Sequence, residues 1–376
     1  MNKRRLSNVY HLGIKELRSL RRDPLMLFFI VFAFSVAIYS AASVSMELHK
    51  APVAIVDEDQ SQISGGIAAA LLPPHFKEPE QTGMAEADAG MDRGRYTFVL
   101  DIPPGFQRDV LAGARPALQL NVDATQTSQA FIGASYIQNI VAAEVAQFVR
   151  HQRAETGPAV ELAVRMRFNP NLTSKWFTAV MELINNITML AIILTGAALI
   201  REREHGTIEH LLSMPLTPAE IMVGKVWANG LVVLATAAIS LMVVVQGLLA
   251  VPVAGSVPLF LSGALVHIFA VTCMGIFLGT VARSMPQLAL LVMLVVLPLE
   301  VLSGGMTPRE SMPEVVRAIM QFAPTTHFVS FAQAILYRGA GFDVVWPQFL
   351  AIAAIGSALF AGALARFRRT VADMQV

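Results

Sequence analysis

Residues 25–46 read LMLFFIVFAFSVAIYSAASVSM and carry no charged side chain. A helix needs about 20 predominantly apolar residues to cross the hydrocarbon core of a bilayer, where every backbone polar group must be satisfied internally. Comparable runs fall at residues 177–200, 221–251, 257–282, 288–303 and about 344–365. The pattern predicts an α-helical integral membrane protein with about six transmembrane helices. Composition agrees, because only 15% of the residues are charged, whereas soluble domains carry roughly a quarter. The first run is too long for the core of a cleaved signal peptide, which spans about 7 to 15 residues.

Short flanking segments set the orientation, since Lys and Arg collect on the cytoplasmic side. Seven cations from Lys3 to Arg22 precede the first span; Arg201, Arg203 and Lys225 lie between the second and third; Arg283 lies between the fourth and fifth; Arg366, Arg368 and Arg369 follow the last. Both termini are therefore expected in the cytoplasm, with residues 47–176 outside as a periplasmic mixed α/β domain. Within it, residues 52–56 (PVAIV), 96–102 (YTFVLDI) and 117–122 (ALQLNV) read as strands, and residues near 60–72, 106–111 and 127–153 read as helices. The single cysteine, Cys273, excludes an intramolecular disulfide framework, which suits a bacterial envelope. A formal net charge of +1 lacks the basic excess of a nucleic-acid binder.

Three stretches are irregular. Residues 1–24 place Leu6, Val9, Tyr10, Leu17 and Leu20 on one helical face and His11, Lys15, Arg18 and Arg22 on the other, as in an interfacial helix on the inner leaflet with its cations toward headgroups. Residues 304–342 are apolar but broken by Pro308, Pro313 and Pro324, which predicts two short helices dipping into the outer leaflet. Residues 367–376 are expected to be a cytoplasmic tail.

Few motifs carry chemistry. Asp57-Glu58-Asp59 has the form of a metal-binding DxD, but a solvated turn leading into a helix is the better reading. His205 and His210, five apart, do not share a helical face as the HExxH pair does. Gly224-Lys225 lacks the earlier glycine and the following Ser or Thr of a phosphate loop. No metal site, no cofactor site and no catalytic constellation is expected in this chain; if ATP drives it, another chain binds the nucleotide.

The segment 201–218, REREHGTIEHLLSMPLTP, leaves the second span with alternating charges, turns at Gly206-Thr207, and forms an amphipathic helix with Ile208, Leu211 and Leu212 on one side. It is either a solvated loop or a docking surface for a soluble partner. Glu182, Asn185 and Asn186, at i, i+3 and i+4, make one face of the second span polar. Such a face lines a bundle interior or watery path, or forms an interhelical hydrogen-bond cluster; Glu300 in the fifth span has the same two readings. Asn229 reads as packing glue between helices.

Taken together, PVAIVDEDQS, YTFVLDIPPGFQRDVLAG, the RERE-H-GTIEHLLSMPLTP segment, and SGGMTPRESMP followed by APTTHFVSFAQAILYRG resemble the ABC-2-type (type V) export permeases, in the bacterial inner-membrane branch with a large periplasmic domain. The resemblance covers essentially the whole chain. It implies a permease paired with a second permease, identical or a close paralogue, and with cytoplasmic ATPase subunits that bind ATP and Mg. It implies that the segment after the second span is the coupling helix, so that Arg201, Glu202, Arg203, Glu204, Gly206, Thr207, Glu209, Leu211, Leu212 and Met214 meet the ATPase. It further implies that Glu182, Asn185, Asn186 and Glu300 line the path, and that Gly304, Gly305, Pro308, Pro313 and Pro324 belong to an outer gate. Members of this branch often work with a periplasmic membrane-fusion adaptor and an outer-membrane channel, although no residue here identifies a site for either. The expected function is ATP-driven export of hydrophobic or amphiphilic compounds. The competing reading is a mechanotransmitter that drives an efflux assembly without passing cargo through its own spans.

Overall fold

Each long apolar run becomes a single helix, because only a helix closes all its backbone hydrogen bonds within one segment. The computed structural model describes residues 3–43, 50–123, 127–153, 174–204, 206, 215–307 and 309–373. The chain divides into two compact units, Met1–Ser43 with Lys175–Val376, and Val44–Ser174.

The helical unit opens with an N-terminal helix, Lys3–Arg21. Among the described residues, five helices are long and apolar enough to cross a membrane: Pro24–Ser43, Ser174–Glu204, Pro218–Leu248, Val257–Val281 and Phe342–Thr370. A sixth, Met285–Val301, has 17 residues, or about 25 Å at 1.5 Å per residue, the lower limit for spanning. In chain order these are spans one to six, with Met285–Val301 the fifth. Span two is enclosed along most of its length, whereas spans one, three and six turn most of theirs outward. Phe28, Val31, Leu290, Leu294 and Leu350 are among the exposed apolar side chains, as on a surface made for lipid tails.

Small residues set the closest helix approach. A Cβ added to Gly275 in span four would lie 2.5 Å from the carbonyl oxygen of Ile192 in span two, and one on Gly279 would lie 3.2 Å from that of Gly196. Gly275 and Gly279 form a GxxxG pair, which lets two backbones meet where lipid offers no hydrophobic drive to association. Spans one and three each contain a π-helical stretch, Ala33–Ala37 and Leu241–Leu248. The side chains of Asn186 and Ser240 donate to the carbonyls of Ala33 and Phe34, at 2.8 and 2.6 Å, where this irregular turn begins.

One expectation for this unit needs correction. The N-terminal helix does not turn all its cations to headgroups, because Lys15 pairs with Glu202. The reason is a close approach at Gly13, whose missing side chain admits the indole ring of Trp227 in span three; this turns the Leu12, Gly13 and Glu16 side of the helix inward. The helix of span six continues past the membrane-length stretch as far as Asp373. Phe367 extends the helix because it is buried with Leu199, Ile221 and Met222.

After span five come a single 3-10 turn, Arg309–Ser311, and the helices Glu314–Met320 and Pro324–Leu336, of 7 and 13 residues. Neither is long enough to cross a bilayer. Pro313 caps the first, and Pro324 opens the second where its missing N–H costs nothing.

The inserted unit holds a four-stranded sheet in the order β2-β1-β3-β4, with β1 Val53–Asp57, β2 Glu80–Gln81, β3 Phe98–Ile102 and β4 Gln119–Val122. β1 runs parallel to β2 and β3, and β3 antiparallel to β4. Side chains alternate between faces along a strand. Val53 and Ile55 accordingly pack with Ile63, Ile67, Phe106 and Ile137 from the helices Gln62–Ala70, Phe106–Leu111 and Thr127–Arg153, while Ala54 and Val56 pack with Ala87 of the helix Met84–Asp92. Burial on both faces explains why residues 53–56 of β1 are all apolar. β2 and Met84–Asp92 were not visible as elements in the polar sequence 77–92.

Candidate functional site

The end of span two is where charge and packing converge. Lys225, about two turns into span three, is 2% exposed, and its ammonium lies 2.9 Å from Glu16 Oε1 and 2.8 Å from Glu202 Oε2. Lys15 completes the cluster as a second partner of Glu202. A buried ammonium is tolerated only where ion pairs and hydrogen bonds replace water. Here two cations face two carboxylates, and the cluster joins the N-terminal helix, span two and span three.

The four charged residues that finish span two engage three parts of the bundle. Arg201 pairs with Asp23, whose other carboxylate oxygen accepts the Met26 amide at 3.0 Å and caps span one. Glu202 belongs to the Lys225 cluster. Arg203 donates to the Ala282 carbonyl at 2.8 Å, and Glu204 Oε1 accepts the Met285 amide at 3.1 Å, so both hold the turn between spans four and five. Gly206 follows in a left-handed conformation, φ 65°, and its amide bonds back to the Arg203 carbonyl at 3.2 Å, as helix-ending glycines do. Arg201 to Glu204 thus turn toward their own chain. Thr207, Glu209, Leu211, Leu212 and Met214, and with them the amphipathic helix expected there, lie outside the described residues, as does His205.

Farther along span two the polar face separates into different environments. Asn186 is buried and bonded to the Ala33 carbonyl, which makes it a link between spans one and two. Its amide also approaches Glu182 Oε1 at 3.5 Å. Asn185 and Glu182 are half-buried. Glu300 lies within electrostatic range of Glu182 and lines an open groove of about 430 Å³ together with Met26, Met189, Met293, Val296 and Leu297. Neither carboxylate has an ion-pair partner among the described residues. Asn229, read as interhelical glue, instead donates to the Lys225 carbonyl of its own helix at 3.1 Å.

Beyond span five, Gly304 adopts φ 96°, and a Cβ on Gly305 would lie 2.0 Å from Met181 Cε. The turn therefore packs against the end of the Met181 side chain of span two. Pro313 and Pro324 begin helices, as described; Pro308 lies outside the described residues. In the inserted unit, Asp57 accepts the Asp59 and Gln60 amides at 3.1 and 2.8 Å and the Ser64 hydroxyl at 2.7 Å, and Asp59 accepts the Gly105 and Gln107 amides at 2.8 and 3.0 Å. The Asp-Glu-Asp motif is a turn whose two aspartate carboxylates accept backbone amides.

Two centres escaped the sequence reading. The sequence presents Lys225 as a topology marker and a failed phosphate-loop lysine, although a lysine four residues into the apolar run 221–251 is itself a signal of a buried partner. His267 in span four is fully buried, with Nε2 2.9 Å from Thr188 Oγ1 of span two and its ring stacked 3.9 Å from that of Phe328. It ties spans two and four to the helix Pro324–Leu336.

Comparison with known proteins matches residues 25–365 to the ABC-2 family transporter proteins. The chain is 60% identical over 372 residues to the inner membrane transport permease YhhJ of Escherichia coli (strain K12), covering 99% of this chain and 100% of that protein. It is 28% identical over 366 residues to the probable multidrug ABC transporter permease YbhR of the same strain, covering 95% and 97%. It is 26% identical over 343 residues to the probable multidrug ABC transporter permease YbhS, covering 87% and 88%.

Proposed function

The chain belongs to the ABC-2 family of transporter proteins, and on that basis we propose that it is the transmembrane permease subunit of an ATP-driven exporter in the bacterial inner membrane. It works with a separate cytoplasmic ATPase and a second permease, and moves hydrophobic or amphiphilic compounds outward. Both termini are cytoplasmic and residues 47–176 periplasmic. Membership of the family and the relatives' names support the transport role; the apolar groove ending at Glu300 supports the cargo class.

The observation that carries the coupling reading is the convergence at the end of span two. Through Arg201, Glu202, Arg203 and Glu204, its last turn engages the N-terminal helix, the start of spans one and three, and the turn between spans four and five. A force on residues 207–214, which follow this turn in the sequence, therefore reaches the bundle base through these contacts. ATP binding moves the permease only so far as the ATPase subunits prefer one arrangement of that base. The test changes Glu209 to Lys and Leu212 to Asp and follows ATPase co-purification together with export of a fluorescent amphiphile. Both are expected to fall; export at the wild-type rate without a bound ATPase overturns the reading. Photo-crosslinking of the same amphiphile from position 300 separates passage through the spans from mechanotransmission, which leaves that position unlabelled.

A further inference from the structure

A pocket of about 540 Å³ lies where span five ends and span two begins, lined by Arg309, Glu310, Thr326, Ser330, Gln333 and Arg338 among others. It stands at the opposite end of span two from the Lys225 cluster, and its volume falls within the range of small-molecule sites. Neither guanidinium has a carboxylate within ion-pair distance among the described residues, and Glu310 has no cation. Thr326 is 1% exposed, and its hydroxyl has no hydrogen-bond partner among the described residues. A buried hydroxyl left unpaired is destabilising, so a ligand supplying a polar partner there is favoured.

We propose that this pocket binds the head group of a zwitterionic phospholipid, a phosphodiester bearing an ammonium. Arg309 and Arg338 supply the donors that suit phosphoryl oxygens, Thr326 supplies a further hydroxyl, and Glu310 supplies the counter-charge for the ammonium. A lipid rather than a free phosphate is indicated by the neighbouring helix Glu314–Met320. Val315 and Ile319, at i and i+4 of this helix, and Phe322 in the turn that follows it are all exposed, Phe322 to 79%, an apolar surface of the kind that acyl chains cover at a membrane interface. The inference rests on none of the transport reading.

The test uses the full chain purified in detergent and native mass spectrometry with four probes: dioctanoyl phosphatidylethanolamine, dioctanoyl phosphatidylglycerol, glycerophosphoethanolamine and inorganic phosphate. Saturable binding is expected for the phosphatidylethanolamine, with weaker binding of the phosphatidylglycerol. Arg309→Gln and Arg338→Gln are each expected to weaken it on the order of tenfold, the size of one charge-assisted hydrogen bond, and Arg338→Lys to restore part of it. Glu310→Gln is expected to erase the preference between the two lipids. Equal binding of both lipids by the wild type, or unchanged binding by both arginine variants, overturns the proposal. Equal affinity for glycerophosphoethanolamine or phosphate overturns its assignment to a lipid. Thr326→Val, which removes the hydroxyl at nearly constant volume, is expected to weaken phosphatidylethanolamine binding while the protein elutes as the wild type does.

Discussion

Lys225 Nζ and Glu202 Oε2 lie 2.8 Å apart and join the beginning of span three to the end of span two, with the ammonium almost wholly out of solvent. Removing one partner of a buried ion pair leaves an uncompensated charge and costs about 3–5 kcal/mol. Lys225→Met is therefore expected to lower the thermal midpoint of the purified protein sharply, since Glu16 and Glu202 both lose the ammonium that lies between them. The double variant Lys225→Met with Glu202→Gln is expected to recover part of that loss. A single variant as stable as the wild type would deny the cluster its structural role.

The N-terminal helix is seated by one missing side chain. A Cβ on Gly13 would stand 2.0 to 2.5 Å from three atoms of the Trp227 indole, whose Nε1 donates to the Val9 carbonyl at 3.1 Å. Gly13→Ala is expected to push the ring and helix apart and cost about 1–3 kcal/mol, as overpacking does. Hydrogen exchange should then quicken across residues 3–21, while Gly362→Ala, whose new methyl meets nothing within 4 Å, leaves it unchanged.

These two contacts mark where the sequence was legible and where it was not. Periodicity and run length located the six spans and the N-terminal helix, because lipid imposes one requirement on every residue of a span. Strands β1, β3 and β4 were readable as apolar, β-branched runs, whereas β2, two exposed residues long, and Met84–Asp92 carry too little apolar content to announce themselves. Pairings such as Lys225 with Glu16, 209 positions away, are set by tertiary packing and leave no local pattern. For the same reason the helix face of residues 3–21 was assigned from amphipathicity, when the decisive feature was the gap at Gly13.

Asp59 offers a pH test confined to the inserted unit. Partial burial opposes its ionisation, but hydrogen bonds from Ser61 and from the amides of Gln107, Gly105 and Phe106 outweigh it and hold the carboxyl below its ordinary value of 3.8. A carboxyl depressed on folding lends stability that is complete above its unfolded value and disappears as pH falls through the folded one. Acid should therefore loosen the Gly105 turn below about pH 4, seen as faster exchange of the Gly105 and Gln107 amides in the full chain. Asp59→Asn is expected to show the faster exchange at neutral pH and to flatten its dependence on acid.

Asn186 and Glu300 separate packing from passage. Asn186 gives its amide to the Ala33 carbonyl beside the π stretch of span one, and hydrogen bonds between membrane helices are worth about 0.6 to 1.7 kcal/mol. Asn186→Ala is therefore expected to lower the thermal midpoint modestly and to reduce export only as far as folded protein is lost. Glu300 has no ion-pair partner among the described residues and opens onto the methionine-lined groove, so Glu300→Gln should change stability by no more than about 0.5 kcal/mol. Its effect should fall on cargo instead, with export of a cationic amphiphile reduced relative to a neutral one at equal amounts of folded protein. If Asn186→Ala and Glu300→Gln altered stability and cargo preference in the same proportion, the polar face of span two and the groove at span five would be one site, and the division between interhelical link and path would fail.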